Sequence, residues 1–378
     1  MRITFIHDHK FIYFNNNYYS TGKLSKSVLS NYLVDPVKKI QVISRGIKNE
    51  YDINSLTISS SNQIQINPIW FLQRKSDFLT KKNKIVKFLN ENISAEDIII
   101  IRLPSEIGLI AAKELIKKRI PFGIELVGDP WSSLWYHSSI IGKLRANINK
   151  YNTKKIILKS SNCIYVTKSH LQKEYPTNGK SFSASNVLIK EVNKNYEVKD
   201  TNLPKIGLIA SLDTKYKGID TALKSLSLLD YDFVFEIVGN GPQEKWLKKI
   251  KKYNLENKVV LLGAIKGGVE MNNWLKNLDL YIQPSYTEGL PRALIEAMSN
   301  GVPCLGSNAG GIPELLNKKF VHKTKDYQTF SKQIDEVLNN TNLRIEMSKT
   351  NLKVSENYLS QNIQRQREAF IKSIYREK

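Results

Sequence analysis

The strongest constraint on the fold is a regular alternation of short apolar runs with helix-period stretches along most of the chain. Runs such as 98–101 and 259–262 have the length of strands, and stretches such as 105–118 repeat apolar residues every three or four positions. Strands and helices that alternate in this way form βαβ units with mostly parallel sheets. The sequence therefore predicts an α/β protein with doubly wound sheets.

The chain is too long, at 378 residues, for a single hydrophobic core to be the natural expectation. A stretch of low periodicity at 184–203, rich in Asn and Lys, separates two series of alternating elements. We therefore predict a first domain over 1–195 and a second over 204–358. The amphipathic tail 360–378 is expected to form a helix that packs back on the first domain.

The predicted elements follow the apolar pattern of each half. First-domain strands are predicted near 2–7, 40–44, 63–66, 98–102, 122–127 and 162–166, with the clearest helices at 22–34, 77–91 and 105–118. Second-domain strands are predicted at 206–210, 233–238, 258–262, 279–283 and 302–306, with helices at 218–229, 242–254, 268–277, 291–299, 325–339 and 342–358.

Hydropathy and charge limit the location and the partners of the protein. No apolar run approaches the ~20 residues of a membrane-spanning helix, and the first residues form a strand-like run instead of a signal peptide, so we predict a cytoplasmic protein. The net charge is +22, and most of the excess lies before residue 200. Such a field attracts anionic lipid, polyphosphate or nucleic acid, and charge alone does not choose among them.

The most informative segment places two glutamates, Glu288 and Glu296, across a strand-to-helix junction. Gly289 and Leu290 offer loop amides to a phosphate, and the helix that follows adds the positive end of its dipole. Glu288 can accept hydrogen bonds from the hydroxyls of a sugar, and Glu296 from a ribose diol. The alternative is that the glutamates are an ordinary helix charge and a solvated side chain.

A second loop, 211–218, follows the strand 206–210 and opens a helix, which is also a phosphate-type position. Lys217 in this loop can supply a full positive charge there. The alternative is a solvated lysine, mildly unfavourable at a helix start. Gly241, in the turn Val238-Gly239-Asn240-Gly241-Pro242, is a candidate for contact with a bound substrate, although a tight turn needs glycine in any case.

These residues carry a family resemblance. The pattern Pro-Ser, Glu-Gly-Leu-Pro, Ile-Glu-Ala-Met and Gly-Val-Pro between 284 and 303, followed by Gly-Gly-Ile-Pro-Glu at 310–314, resembles the signature of glycosyltransferase family 4. The resemblance implies a GT-B fold, with two Rossmann-like domains facing across a cleft, and a retaining transfer from a UDP- or GDP-sugar. Ser211 stands where many members have Arg, which leaves the second phosphate-binding cation open between Arg292 and Lys215.

The resemblance also bears on the reaction. Retention can proceed through a covalent carboxylate intermediate or through front-face attack assisted by the leaving phosphate, and the resemblance implies the second. Glu288 and Lys217 are then the catalytic candidates in this domain. Catalysis would consist mainly of positioning and of stabilising the departing nucleotide.

Two loops of the first domain are candidates for substrate contact. Gly22 follows the first strand, where GT-B enzymes bring a glycine loop toward the donor phosphates, although an ordinary turn also explains it. Asp129 follows the strand 122–127 and is a candidate catalytic group on the acceptor side, with His137 behind it. An aspartate that forms a turn before Pro130 is an equal alternative.

We predict no metal and no cofactor beyond the donor substrate. Asp230 and Asp232 form a DxD motif, but they precede a strand, whereas a metal-binding version should end one. His7, Asp8 and His9 could ligate zinc or iron, but the sequence offers no convincing third ligand beside them.

The expected function is transfer of a sugar to a glycan or lipid-linked acceptor in surface polysaccharide assembly. The segments 128–131 and 166–176 resemble transferases of capsule and lipopolysaccharide assembly. The basic stretches 113–119 and 143–159 can rest on anionic lipid as amphipathic helices, or can be core-facing helices with solvated lysines. The alternatives are another GT-B enzyme, such as an epimerase or phosphorylase, and a nonenzymatic polyanion-binding protein; nucleic acid is not an expected partner.

Overall fold

The computed structural model describes residues 1–22, 24–48, 56–74, 76–137, 140–187, 189–194, 196–198 and 201–377. It divides into two compact units. The first consists of Met1–Ala184 and Gln364–Lys378, and the second of Ser185–Ile363. Each is an α/β unit with a mostly parallel sheet, as the alternating pattern predicts.

The sheet of the first unit has parallel strands at its centre. In the described residues β1 pairs in parallel with both β3 and β6, and the sheet continues through β7, β8 and β9 on one side and β5 on the other. The antiparallel strands β2 and β4 extend the end of β1. The strands are β1 Arg2–Phe14, β2 Asn17–Ser20, β3 Lys39–Lys48, β4 Thr57–Ile58, β5 Ile64–Ile69, β6 Ile98–Leu103, β7 Gly123–Leu126, β8 Asn162–Tyr165 and β9 Lys180–Ser183.

The helices of the first unit cover this sheet. Those described here are α1 Lys26–Ser30, α2 Asp77–Thr80, α3 Lys82–Asn92, α4 Glu106–Lys118, α5 Pro130–His137, α6 Ile140–Lys159 and α7 His170–Glu174. The strand β6 is buried along its whole length, which explains its run of four isoleucines.

The first unit differs from the prediction near its start. The first strand does not end at residue 7: β1 continues to Phe14, and Asn15 and Asn16 adopt positive φ in a tight turn into β2. Asparagine tolerates this conformation better than most residues, so the two asparagines mark the turn. The predicted helix 22–34 is also wrong in extent, because only α1 is helical and the chain then buries Tyr32 through short turns.

The basic helix α6 does not separate an apolar face from a basic one. Ala146 and Ile157 are buried, but Ile148 and Tyr151 are 63% and 66% exposed, so apolar side chains lie on both sides of the helix. One side of α6 is thus buried, as expected of a core-facing helix, and the other side carries exposed apolar residues.

The second unit is built on an all-parallel sheet with the order β12-β11-β10-β13-β14-β15. Its strands are β10 Lys205–Ile209, β11 Val234–Val238, β12 Val259–Gly263, β13 Leu280–Gln283, β14 Cys304–Ser307 and β15 Val321–His322. Its α-helices are α8 Ile219–Leu226, α9 Glu244–Lys252, α10 Val269–Lys276, α11 Arg292–Ser299, α12 Tyr327–Leu338 and α13 Thr341–Ser355. The predicted elements agree closely here, because strand and helix periods are cleaner in this half.

The last helix, α14 Ser360–Tyr375, passes from the second unit to the first. Within the first unit, Gln364 donates to the carbonyl of Asn31 at 2.9 Å, and Phe370 and Ile374 pack over Gly123 of β7. A side chain at Gly123 would overlap both, so a glycine is required for the helix to approach the sheet.

Across the described ranges, none of the helices combines the length and the apolar character that crossing a bilayer requires.

Candidate active site

The sheet of the second unit has a switch point between two adjacent strands. From β10 the chain proceeds to its neighbour β11 on one side, whereas β13, on the other side of β10, leads to β14. Loops at the carboxyl ends of β10 and β13 therefore flank the switch point, which is the usual ligand position in such sheets. Lys217 lies on the first loop and Glu288 on the second.

The structure brings these two predicted residues into direct contact. Lys217 Nζ lies 2.7 Å from Glu288 Oε1, and the side chains are 22% and 10% exposed. The same oxygen accepts hydrogen bonds from Ser285 Oγ at 2.7 Å and from Gln283 Nε2 at 3.2 Å. No donor in the described part of the chain reaches Oε2, so this oxygen is available to a substrate hydroxyl.

A buried chain of hydrogen bonds stands behind Glu288. Tyr281, at the centre of β13, donates from its hydroxyl to Gln283 Oε1 at 2.9 Å, and Gln283 Nε2 donates to Ser285 Oγ at 2.8 Å. All three side chains are fully buried. The network fixes the rotamer of Glu288 from inside the sheet, and a satisfied buried network is rigid.

The backbone holds the two loops close together. The amide of Tyr286 donates to the carbonyl of Tyr216 at 2.7 Å. Gly218 has φ +75°, and a Cβ there would overlap the carbonyl of Pro284. Gly310 has φ +54°, and a Cβ there would overlap the carbonyl of Glu288. Glycine at both positions thus permits the approach that joins Lys217 to Glu288.

Charge pairing keeps Lys217 protonated. Burial lowers the pKa of Lys217, but the charge of Glu288 and its hydrogen bond together outweigh burial, and the net pKa is raised. Lys217 therefore presents a fixed cation at neutral pH.

Glu296 has the opposite environment to Glu288. It lies half-buried on α11, and within the described residues no side chain or amide donates a hydrogen bond to its carboxylate. Burial raises the pKa of Glu296, and the charge of Arg292 opposes that rise. A half-buried carboxylate without a donor is a ready acceptor for a ligand diol.

Both glutamates act on the same buried hydroxyl. The pKa of Tyr281 is raised chiefly by burial, and the charges of Glu288 and Glu296 raise it further.

The helix α11 begins where the sequence places it. Pro291 is the N-cap, Leu290 is buried and Gly289 is half-buried just before it. The first amides of the helix have no intrahelical acceptor and can bind an anion. Arg292 is exposed in the first turn, and its charge acts on both Lys217 and Glu296.

The loop after β10 is fixed by its neighbours. Leu212 donates its amide to the carbonyl of Asn240 at 2.8 Å and accepts from Trp246 Nε1 at 2.8 Å. A Cβ at Gly241 would lie 2.8 Å from the amide nitrogen of Asp213, so Gly241 is required for packing whether or not it contacts a ligand. Ser211 and Lys215 are exposed in the same loop.

The first-unit candidates occupy separate loops. Asp129 caps α5: its carboxylate accepts from the amides of Trp131 at 3.1 Å and Ser132 at 3.0 Å, and also from the hydroxyls of Ser132 and Tyr175. These contacts account for an aspartate before Pro130, and its acceptor-side role stays a prediction. The side chain of His137 lies outside the described residues.

Gly22 follows β2 instead of β1, because the β1–β2 hairpin intervenes. It is exposed with φ +87°, and a Cβ there would lie 3.9 Å from Thr57 Oγ1, an ordinary contact; a ligand contact at Gly22 stays a prediction.

The residues considered for metal binding have other partners. Asp8 accepts from the amides of Glu106 and Ile107 and the hydroxyl of Ser105, at 2.6–2.9 Å, at the start of α4. Asp232 pairs with Lys258 at 3.1 Å, just before β11 and so at the amino edge of the sheet. Over the ranges that the structure describes, no group of three His, Cys, Asp or Glu is arranged to hold an ion.

Sequence reasoning missed Gln283, Ser285 and Tyr281 as members of the site. A signal was present, because Gln283 is an amide at the end of an otherwise apolar strand. A buried polar residue at the carboxyl end of a central strand needs a partner, and a nearby motif carboxylate is the natural one.

Comparison with known proteins identifies a family and relatives of this chain. A model of the family described as glycosyl transferases group 1 matches residues 189–354. Protein CapJ of Staphylococcus aureus is 38% identical over 375 residues, which cover 97% of this chain and 94% of that protein. The putative colanic acid biosynthesis glycosyltransferase WcaL of Salmonella typhimurium is 28% identical over 192 residues, 47% of each chain.

Among solved structures, that of Anabaena HepE in complex with UDP superposes with a TM-score of 0.70 and 16% identity, covering 99% of this chain and 100% of that one. HepE is also solved with UDP-glucose, with a TM-score of 0.68. The likeness extends over the whole chain and shows a shared fold.

Proposed function

The chain belongs to the group 1 glycosyl transferases, and from that membership we propose that it transfers a sugar, with retention, from a nucleotide diphosphate sugar to a glycan of the cell surface. The predicted GT-B fold and glycosyltransferase class are confirmed. The class decides against a nonenzymatic polyanion-binding protein. WcaL, named for colanic acid biosynthesis, supports a surface polysaccharide as the product.

One observation carries the donor side of the proposal: Lys217 and Glu288, 71 positions apart, meet at 2.7 Å at the switch point of the second sheet. In that position the carboxylate suits the sugar of a sugar diphosphate, and the cation suits its phosphates. Glu288 Oε2 accepts from a sugar hydroxyl, while Lys217 and the first amides of α11 stabilise the charge on the departing phosphate.

The placement of Glu288 favours front-face attack over a covalent intermediate. Its Oε1 is occupied by an ammonium group and two neutral donors, which lowers the electron density that a nucleophile needs. A carboxylate fixed in this way is suited to orient a sugar. The leaving phosphate then takes the proton of the attacking acceptor hydroxyl, as the C1–O bond to phosphate breaks and the bond to the acceptor oxygen forms.

A UDP-sugar is the first donor to test, because the superposed HepE binds UDP and UDP-glucose. Thermal unfolding is measured with a panel of UDP- and GDP-sugars for the wild type and for Glu296→Ala. A stabilisation by one donor that the variant lacks supports the proposal. A variant that responds as fully as the wild type contradicts the assignment of Glu296 to the ribose.

We propose that no metal takes part in the transfer. The charge on the departing diphosphate is met here by Lys217 and helix amides. Transfer measured with and without EDTA should then agree within about twofold, and recovery of lost activity by Mg²⁺ or Mn²⁺ would overturn this part.

An anionic membrane surface is the proposed place of action, on the cytoplasmic side that the sequence predicts. The exposed Tyr151 of α6 lines a groove of about 390 Å³ between α4 and α6, and Ile148 and Leu158 of the same helix are also exposed. Five lysines line the groove: Lys82, Lys113, Lys117, Lys155 and Lys159. Apolar side chains among lysines suit a bilayer with acidic headgroups.

Sedimentation with vesicles of phosphatidylcholine, with and without phosphatidylglycerol, tests this surface. Replacing Lys113, Lys117 and Lys155 by Gln should abolish binding to the anionic vesicles. The matched control replaces Lys248, Lys251 and Lys252 of α9 by Gln, which removes the same charge elsewhere. Equal loss in both variants would refute this placement.

A further inference from the structure

We propose that an aromatic cluster of the first unit binds the acceptor glycan by stacking against its sugar rings. The inference rests on the proposed function, since it names a subsite for the acceptor of that transfer. The cluster consists of Tyr13, Tyr18 and Trp70 with Lys48 beside them, and it is called the aromatic platform below.

Strand register assembles the platform. Tyr13 of β1 pairs directly with Tyr18 of β2 on one side and with Lys48 of β3 on the other. Directly paired residues on neighbouring strands project from the same face of a sheet, so these three side chains form one row. The Tyr13 ring centroid lies 5.1 Å from that of Tyr18 and 6.1 Å from that of Trp70, and Tyr18 and Trp70 are 6.5 Å apart. The three rings thus form a continuous surface.

Trp70 is exposed and yet held in place. Its side chain is 37% exposed, while ring atom Cζ3 lies 2.8 Å from the position that a Cβ would take at Gly46. Gln73 Nε2 donates to the carbonyls of both Gly46, at 2.9 Å, and Trp70, at 2.6 Å, which ties the loop to β3. A ring that is already ordered loses little conformational entropy when a ligand covers it.

The platform lies at the ligand-binding edge of its sheet. Tyr13 and Lys48 stand at the carboxyl ends of β1 and β3, and Trp70 directly follows β5. These strands are parallel neighbours, and ligands of doubly wound sheets bind beyond their carboxyl ends. An aromatic surface at this edge is therefore in the position expected for a substrate contact.

The chemistry of the platform fits a glycan. One face of many pyranose rings presents C–H groups, which pack favourably on the electron-rich face of an aromatic ring. The turn residues Asn15 and Asn16 are exposed at the end of the hairpin and can bond sugar hydroxyls. Lys48 Nζ, 5.7 Å from the Trp70 ring centroid, can pair with an acidic sugar. A nucleic-acid platform would join its rings to a basic track, whereas Lys48 is the one cation that the described residues place over these rings.

A printed array of bacterial capsule and O-antigen oligosaccharides is the probe. Wild-type protein and the variants Trp70→Ala, Tyr13→Ala and Trp70→Phe are applied to it. Trp135→Ala is the matched control, since Trp135 is 39% exposed in the same unit and lies outside the platform. Each protein is also tested for stabilisation by the donor identified above, which reports on the fold and on the second unit independently of the array.

We expect the wild type to bind a subset of the array, and Trp70→Ala and Tyr13→Ala to bind those glycans about tenfold more weakly. Trp70→Phe, which keeps a ring, should stay within about threefold, and Trp135→Ala should be unchanged, with the donor response retained throughout. Unchanged binding by Trp70→Ala, equal loss by Trp135→Ala, or a wild type that responds to donor and binds no array glycan overturns the platform. A wild type that responds to no donor instead counts against the proposed function.

Discussion

Replacing Gln283 by leucine removes the centre of the buried network behind Glu288 while nearly preserving side-chain volume. Three hydrogen bonds involve Gln283: one accepted from Tyr281, one donated to Ser285 and one donated to Glu288. Because Gln283 is fully buried, water cannot replace them without rearrangement. The bond to Glu288 is long, at 3.2 Å, and we count it at about 1 kcal/mol, with about 1 kcal/mol more for Ser285.

The largest single cost is the Tyr281 hydroxyl, which loses its acceptor inside the sheet. An unsatisfied buried polar group costs about 1–3 kcal/mol, so the sum for Gln283→Leu is about 3–5 kcal/mol, less the gain from burying an apolar side chain. We therefore expect the free energy of unfolding of the second unit to fall by about 2–3 kcal/mol. For a unit of this size that corresponds to about 5–10 °C in Tm.

The activity should fall as well, because Glu288 keeps Lys217 and Ser285 but loses its support from the strand. We expect kcat to decrease by about tenfold while the KM for donor changes less, since Glu296 and the amides of α11 are untouched. Calorimetry of the full chain gives Tm, and release of nucleotide diphosphate gives kcat. The matched control is Gln328→Leu on α12, an exposed glutamine of the same unit, which should change stability by less than about 0.5 kcal/mol. A Gln283→Leu variant with wild-type Tm and kcat would refute the reasoning.

Three further predictions follow from the site and its unit. Lys217→Met should lower kcat by about a hundredfold or more, because the departing phosphate loses its fixed cation; a change confined to the donor KM would contradict that role. Glu296→Gln should weaken donor binding by about tenfold or more and yet raise Tm at pH 7. The expected rise in Tm follows from burial, which raises the pKa of Glu296 in the folded state. Ionisation of Glu296 therefore destabilises the fold as pH rises through that pKa, and the uncharged Gln side chain avoids this cost. A lower Tm for the variant at pH 7 would contradict the argument. Burial beside Phe330 lowers the pKa of His322 to about 4. The contribution of His322 to the free energy of unfolding should therefore be complete above its unfolded pKa near 6.5 and decline as pH falls toward 4. His322→Gln should lose most of this pH dependence of unfolding, and an unchanged pH dependence would exclude His322 as its source.

The sequence predicted the elements of the second unit to within a few residues because local signals agree there. Apolar strands such as 280–283 are short and continuous, and Pro291 and Gly218 mark helix starts that the structure reproduces. The β1–β2 hairpin was missed because its turn consists of Asn15 and Asn16 without glycine, and because Tyr and Phe in this region do not alternate with polar residues as in a half-buried strand. Local pattern carries little information where the turn chemistry is weak.

The contact between Lys217 and Glu288 could not be predicted from either motif alone. Each residue was expected near the donor, but their pairing depends on β13 lying beside β10, a neighbour relation that skips two intervening strands. Sequence patterns identify strands and leave their order open, and the order decides which loops share a crevice. Glu288 and Glu296 also lie in different environments, which their spacing in the sequence does not show.

That difference bears on how the site divides its work. Glu288 is held by three donors and a buried network, so its position is set before any ligand arrives. Glu296 has a raised pKa and, within the described ranges, no protein donor, so its carboxylate is left to water or to a ligand. The buried part of this carboxylate costs stability in the free protein, and we expect binding of the proposed ribose diol to offset that cost. The pre-set glutamate is thus suited to orient the transferred sugar, and the unsatisfied one to add affinity for the nucleotide, which is why the first should affect kcat and the second the KM for donor.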